Sequence, residues 1–145
     1  MLQKLKILFL CTGNSCRSQM AEGWARHLHG DKFEVHSAGI APAGLHPLAV
    51  RVMQEFGIDI SGQESKPVSA LKDMAFDYVI TVCDSARGSC PHFPGNTKVL
   101  HVDFEDPAAA KGSEQEVLAV FRRVRDEIKN FISGLPEYLS NRRTA

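Results

Sequence analysis

The stretch Leu5-Lys6-Ile7-Leu8-Phe9-Leu10-Cys11-Thr12-Gly13-Asn14-Ser15-Cys16-Arg17-Ser18 passes from six mostly apolar residues through a polar turn into a helical pattern. Residues 5–10 read as a buried strand, and Met20, Ala21, Trp24 and Leu28 then recur at helical spacing up to Gly30, a good helix stop. A strand-loop-helix unit therefore opens the domain. Cys11 stands where its strand gives way to its loop.

Outward from this unit the alternation continues. A strand is expected over 33–37, a Gly/Pro-rich turn around 41–44, and a helix from Pro47 through Phe56 that ends at Gly57. A short helical piece near 68–72 precedes a strand over 78–82, whose β-branched and aromatic residues suit a buried sheet position. Residues 84–95 are rich in turn formers and lack a sustained period, which predicts a long loop or a weak helix able to move. A fourth strand over 98–102 and a turn at Asp106-Pro107 follow. Ser113 and Glu116 then form a capping-box pattern for the last helix, with Val117, Phe121, Val124, Ile128, Phe131 and Leu135 as its apolar face.

Four strands alternating with helices predict an α/β fold: one domain over 1–145, a four-stranded parallel sheet with helices on both faces, and ligands beyond the carboxyl ends of the strands. Cys11, Cys83 and Asp106 are all expected after strand ends. The tail Thr144-Ala145 is expected to be disordered.

At 145 residues and 43% hydrophobic content the chain suffices for one core. Seventeen basic residues balance seventeen acidic ones, so the overall field offers no footprint for nucleic acid or a membrane surface, and any bound anion must be held locally. The apolar start is too short for a signal-peptide core, and no stretch approaches the ~20 apolar residues of a membrane span. The expectation is a cytoplasmic protein. Four cysteines in such a chain point to catalytic, redox or metal-binding use rather than a permanent disulfide framework.

Between a strand and a helix, the backbone N–H groups of Thr12, Gly13, Asn14, Ser15 and Cys16 can wrap an oxyanion at the positive end of the helix. Arg17 adds a bidentate fork. The same donors would favour the thiolate of Cys11, as helix N-termini and nearby cations do, and Ser18 could donate to that sulfur. Cys16, nearer the helix, reads as a small packing residue. Asp106 offers an acid on a rigid turn at the ligand edge of the sheet, with Asp103 and Glu105 as rivals.

Cys83 and Cys90 match neither a common zinc knuckle nor a Cys-x-x-Cys pair. A relay of thiols fits them better: if Cys83 approaches Cys11 and Cys90 can reach Cys83, oxidation passes outward by successive disulfide exchange. The six histidines show no metal-ligand spacing, so no metal and no cofactor is expected; Trp24, on an apolar helix face, reads as core.

Taken in order, the loop from Cys11 to Ser18, Ser37-Ala38-Gly39, Gly57-Ile58-Asp59-Ile60-Ser61, Cys83, Cys90 and Asp106-Pro107 resemble the thioredoxin-coupled arsenate reductases, which share the low-molecular-weight tyrosine phosphatase fold. The resemblance runs from Lys4 to about Leu135 and implies a reaction in three thiol steps. Cys11 attacks arsenate held by the loop and Arg17, with Asp106 as the acid. Cys83 attacks the adduct and releases arsenite. Cys90 then takes over the disulfide for reduced thioredoxin to reduce.

Some relatives hold a potassium ion through residues matching Asn14, Glu22, Ser37 and an acidic residue near position 66. Lys66 stands there in this chain, and its ammonium is expected to replace the ion. Two rival functions share the loop. A phosphatase for phosphotyrosine or a small phosphomonoester would use the same cradle and acid, but Ala108-Ala109-Ala110 offer no aromatic wall and Cys83 and Cys90 would have no necessary role. A non-catalytic oxyanion or arsenical sensor would bind through its cysteines without turnover.

Overall fold

A strand of consecutive apolar residues needs cover on both faces, and β1 (Leu5–Cys11) has it: Ile7, Leu8, Phe9 and Leu10 alternate between the two faces and are all fully buried. In the computed structural model, which describes residues 4–143, β1 pairs in parallel with β2 (Phe33–Gly39) on one side and β3 (Tyr78–Thr81) on the other. β4 (Lys98–His101) pairs with β3, so the order is β2-β1-β3-β4, all parallel. The register sets Cys11 opposite Gly39, and Leu10 opposite both Ala38 and Thr81.

From β1 the chain runs through α1 (Arg17–His29) to β2 on one side, then returns to β3 on the other side of β1. Such a reversal opens a crevice beyond the carboxyl ends of the two strands it separates. Cys11 is the last residue of β1, and Cys83 lies just past β3. Topology alone therefore brings the two thiols to one crevice.

The remaining elements are α2 (Pro47–Gln54), α3 (Asp84–Gly88), α4 (Glu114–Ser133) and α5 (Leu135–Arg143), with single 3-10 turns at Val68–Leu71 and Pro107–Ala109. α1 packs on β1, β2 and α4, and α2 packs on α4. The capping box at the start of α4 is fully formed: Glu116 N donates to Ser113 Oγ at 3.1 Å and Ser113 N to Glu116 Oε1 at 3.3 Å. Trp24 is buried in the core, as its place on the helix predicts.

Several boundaries differ from the sequence reading. β1 and β2 run on to Cys11 and Gly39, so Cys11 ends its strand rather than following it. β3 and β4 stop one residue early, although Val82 N and Val102 N still make strand-like bonds to Leu10 O and Thr81 O, both at 2.9 Å. α2 stops at Gln54, and Gly57 closes the turn after it at φ +72°, a conformation glycine adopts without strain. Leu28 lies beyond the buried part of α1 and is 36% exposed; Ala25 is the core residue.

The segment after Cys83 forms the five-residue α3 before becoming irregular. The buried side of α4 is Leu118, Phe121, Val124, Arg125, Ile128 and Ile132, while Val117 and Phe131 are half-buried. The stripe is displaced because Arg125 goes inside: its Nη1 donates to Val52 O at 3.0 Å and to Glu55 Oε1 at 2.6 Å, and its guanidinium covers the Phe56 ring. Leu135 is buried but belongs to α5, which starts after Gly134 interrupts the helix. The tail Thr144-Ala145 lies outside the described residues. Among the described residues no helix is long and apolar enough to cross a membrane.

Candidate active site

The turn after Cys11 is held from outside by the segment after β2. Ile40 N donates to Cys11 O at 3.0 Å, Ala41 N to Thr12 O at 2.8 Å, Ala43 N to Gly13 O at 2.9 Å, and His46 N to Ser15 O at 3.1 Å. Gln19 Nε2 takes the remaining loop carbonyl, that of Asn14, at 3.0 Å. In a trans peptide the N–H of the next residue points opposite to the carbonyl. Tying these five carbonyls outward therefore turns the N–H groups of Thr12, Gly13, Asn14, Ser15 and Cys16 inward, toward Cys11. The arrangement is an anion cradle at the N-terminus of α1.

Two backbone features make the cradle possible. Asn14 stands at φ +47°, in the left-handed region that Asn tolerates better than most residues. Gly39 lies against the loop so closely that a Cβ there would sit 2.7 Å from Thr12 O and 2.9 Å from Asn14 Cβ. The glycine of Ser37-Ala38-Gly39 is thus required by close approach.

Cys11 is buried, and its sulfur has Ser18 Oγ at 2.8 Å and accepts from Asn14 N at 3.2 Å. It opens on a cavity of about 270 Å³ lined also by Arg17, Asp106, Ala41, Ala43 and Ala108. Arg17, with only 12% of its side chain exposed, donates from Nη1 to Phe104 O at 3.2 Å and stands 3.7 Å from Asp106 Oδ2. Asp106 is fixed by its own turn, accepting from Ala108 N at 3.0 Å. Its rivals go elsewhere: Glu105 pairs with Arg123 at 2.9 Å, and Asp103 sits beside His101. The cavity therefore brings together a thiol, a cationic fork and one carboxyl group.

Cys16 lines the same cavity, but burial pushes its thiol up to about 12, with the Asp106 carboxylate adding to the effect. At 3% exposure it occupies the place of a small packing residue at the start of α1. Cys83 is buried with its sulfur 3.2 Å from Thr12 Oγ1. Cys90 is half-buried across α3, its thiol raised by burial and its Sγ donating weakly to Pro91 O at 3.6 Å. All four cysteines are free thiols.

One expectation needs correction. The ammonium of Lys66 donates to Glu64 O at 3.1 Å, and the cation that meets Glu22 is Arg26, at 2.7 Å. Lys66 supports the loop through its backbone instead, its N–H donating to Asn14 Oδ1 at 2.9 Å. An i, i+4 pair on one helix carries no special signal in the sequence, because such pairs are ordinary on helix surfaces. Asp84, His101 and Asp103 also converge, with ligand atoms within 4.8 Å of one another. Histidine spacing hides this group, since its members come from α3, the end of β4 and the turn after it.

With this geometry established, the comparison with known proteins is specific. The sequence model for low molecular weight phosphotyrosine protein phosphatases matches residues 6–145. The chain belongs to that family. Within it, the chain is similar to the arsenate reductase of Bacillus subtilis, 51% identical over 131 residues that cover 90% of this chain and 94% of the relative. It is similar as well to the arsenate reductase of Halalkalibacterium halodurans, 49% identical over 136 residues, 94% of this chain and 98% of the relative. Among family structures, one described as an arsenate reductase in oxidized state superposes with a TM-score of 0.75 at 36% identity, covering 90% of this chain and 95% of the other.

Proposed function

We infer that the chain reduces arsenate to arsenite through its cysteines, with thioredoxin as the reductant that restores them. The supporting observation is the position of Cys83: a second free thiol beside the loop that carries the first, where hydrolysis of a phosphate ester has no use for it. The likeness to arsenate reductases over nearly the full length of both chains supports the same reading.

In the reaction, the Cys11 thiolate attacks arsenic in an arsenate held by the loop N–H groups and Arg17, and one oxygen leaves as water with a proton from Asp106. Cys83 then attacks the Cys11 sulfur. The S–As bond breaks, its electron pair stays on arsenic, arsenite departs, and a Cys11–Cys83 disulfide remains. Attack of Cys90 on Cys83 releases Cys11 as thiolate and leaves a Cys83–Cys90 disulfide, which takes two electrons from the thioredoxin dithiol. A disulfide needs Cα atoms within about 7 Å, so α3, which separates Cys83 from Cys90, rearranges during this last exchange. We place the protein in the cytoplasm, where reduced thioredoxin keeps such thiols in play.

The experiment is arsenate-dependent NADPH oxidation with thioredoxin and thioredoxin reductase. Turnover by the wild type and its loss in Cys11→Ser, Cys83→Ser and Cys90→Ser is expected. No wild-type turnover, with aryl phosphate hydrolysis that survives Cys83→Ser and Cys90→Ser, would make the chain a phosphatase.

A further inference from the structure

We propose that Asp84 and His101 are positioning residues of the last thiol exchange: their contact latches α3 to the end of β4, and its opening sets how readily Cys83 joins Cys90. The proposal rests on the reading of Cys83 and Cys90 as the outer pair of the relay.

The fixed half of the latch is built by the sheet. Thr81 and His101 are cross-strand partners in the β3–β4 ladder. Thr81 is fully buried, and its Oγ1 lies 2.7 Å from His101 Nδ1, which sets the orientation of the ring. The hydroxyl suits both charge states of that ring. It donates to the bare Nδ1 of a neutral imidazole, or it accepts from an imidazolium and gives its own proton to Leu100 O at 3.3 Å. In both cases Nε2 carries a hydrogen, and Asp84 Oδ1 takes it at 3.2 Å. The remaining tautomer would set a bare nitrogen against a carboxylate and is disfavoured. The latch therefore holds whether or not the ring is charged.

The moving half is the start of α3. Asp84 is the first residue of this helix and directly follows Cys83. Five residues are too few to sustain a helix in water, so α3 depends on what ties it down: buried Ala86 and the contact of Asp84. Cys83 is 5% exposed, whereas Cys90, beyond α3, is half-buried. For the two to form a bridge that a protein dithiol can reach, Cys83 must come outward, and Asp84 goes with it. His101 stays in the ladder. The contact is then lost, so it favours the reduced arrangement over the Cys83–Cys90 disulfide.

Asp103 keeps the latch weak. Its carboxylate lies within 4.8 Å of the other two groups, and its repulsion of Asp84 lets α3 open in each turnover. The Asp84 side chain is 80% exposed, which limits the effect of the contact on an equilibrium to about threefold.

The experiment is the equilibrium of the Cys83 and Cys90 thiols with glutathione disulfide in the Cys11→Ser chain, read by alkylation and mass spectrometry. Oxidation of the pair releases two molecules of glutathione and needs no arsenate. Asp84→Ala and His101→Phe are each expected to favour the disulfide about threefold, and the double variant no further. His101→Phe keeps a ring and leaves Thr81 its bond to Leu100 O; His101→Ala completes the cycle if it does not fold. The cycle separates the latch from the action of Asp84 on the N-terminus of its own helix, which would persist without His101. A merely structural role would lower the thermal midpoint and leave this equilibrium in place.

Equilibria that coincide in all four chains would overturn the proposal, as would a double variant shifted by the product of the two single effects. A wild type that releases no arsenite, while the shift in this equilibrium is found, would instead overturn the functional reading beneath it.

Discussion

The sulfur of Cys83 stands 3.2 Å from Thr12 Oγ1, so the second thiol of the proposed relay rests on the residue that follows the first. The contact follows from strand order: β1 and β3 are neighbours at the switch point, and each ends within the crevice. One hydrogen bond is worth about 1 kcal/mol, or roughly fivefold. Thr12→Val, which keeps the shape and removes the hydroxyl, is expected to slow Cys11–Cys83 disulfide formation about fivefold in a single turnover while leaving Cys11 alkylation unchanged. Rapid-quench thiol mapping measures both.

Gly39 offers a steric test of the cradle. A methyl group there meets Thr12 O at 2.7 Å, and that carbonyl is itself bonded to Ala41 N, so the loop must shift. Overpacking of this kind costs about 1–3 kcal/mol. Gly39→Ala is expected to fold with a lowered thermal midpoint and to lose arsenate turnover at least tenfold, about 1.4 kcal/mol of barrier, as followed by the coupled NADPH assay.

Asp106 shares the cavity with Cys11 but does not bond to its sulfur, so the two functions can be separated. Asp106→Asn is expected to lower arsenate turnover about 100-fold, the scale of a lost general acid. Cys11 alkylation should persist in that variant. Loss of both would mean that the substitution has disturbed the loop rather than removed a proton donor.

Glu55 ties α2 to α4. The Arg122 guanidinium first, and then Arg125, hold its carboxyl at about 2, well below its ordinary 4.5. Because the folded value is depressed, the stabilisation is present above the ordinary carboxyl range and is lost as pH falls from 4.5 through about 2. A third of the side chain is exposed, so solvent screening limits the effect to about 1 kcal/mol, or roughly 2–4 °C for a chain of this size. Glu55→Gln should melt lower than the wild type by that amount near neutral pH. The gap should close in calorimetric scans as the buffer approaches pH 2.

The loop was legible in the sequence because its parts are local: an apolar strand, a polar turn and a helical pattern fix where Cys11, Arg17 and Ser18 lie before any tertiary contact is known. Cys83 and Asp106 could be placed at the ligand edge for the same reason, each standing near the end of a β-rich run. What tertiary packing decides was not legible. Arg125 enters the core because Glu55 and Val52 O meet it from α2, and the apolar stripe of α4 moves with it. The resemblance to potassium-binding relatives points to the ammonium of Lys66, yet the structure uses the backbone of that residue, at Asn14, and the cation at Glu22 is Arg26. Helix spacing leaves Arg26 looking like any surface i+4 partner. Only the burial of Glu22 distinguishes it.

The most direct test of the relay is a single turnover by Cys90→Ser with excess arsenate and no external reductant, followed by arsenite quantification and disulfide mapping by mass spectrometry. The account predicts one equivalent of arsenite per chain and a disulfide joining Cys11 to Cys83. Arsenite release with Cys11 and Cys83 unlinked, or no arsenite from a variant whose Cys11 still alkylates, would contradict it.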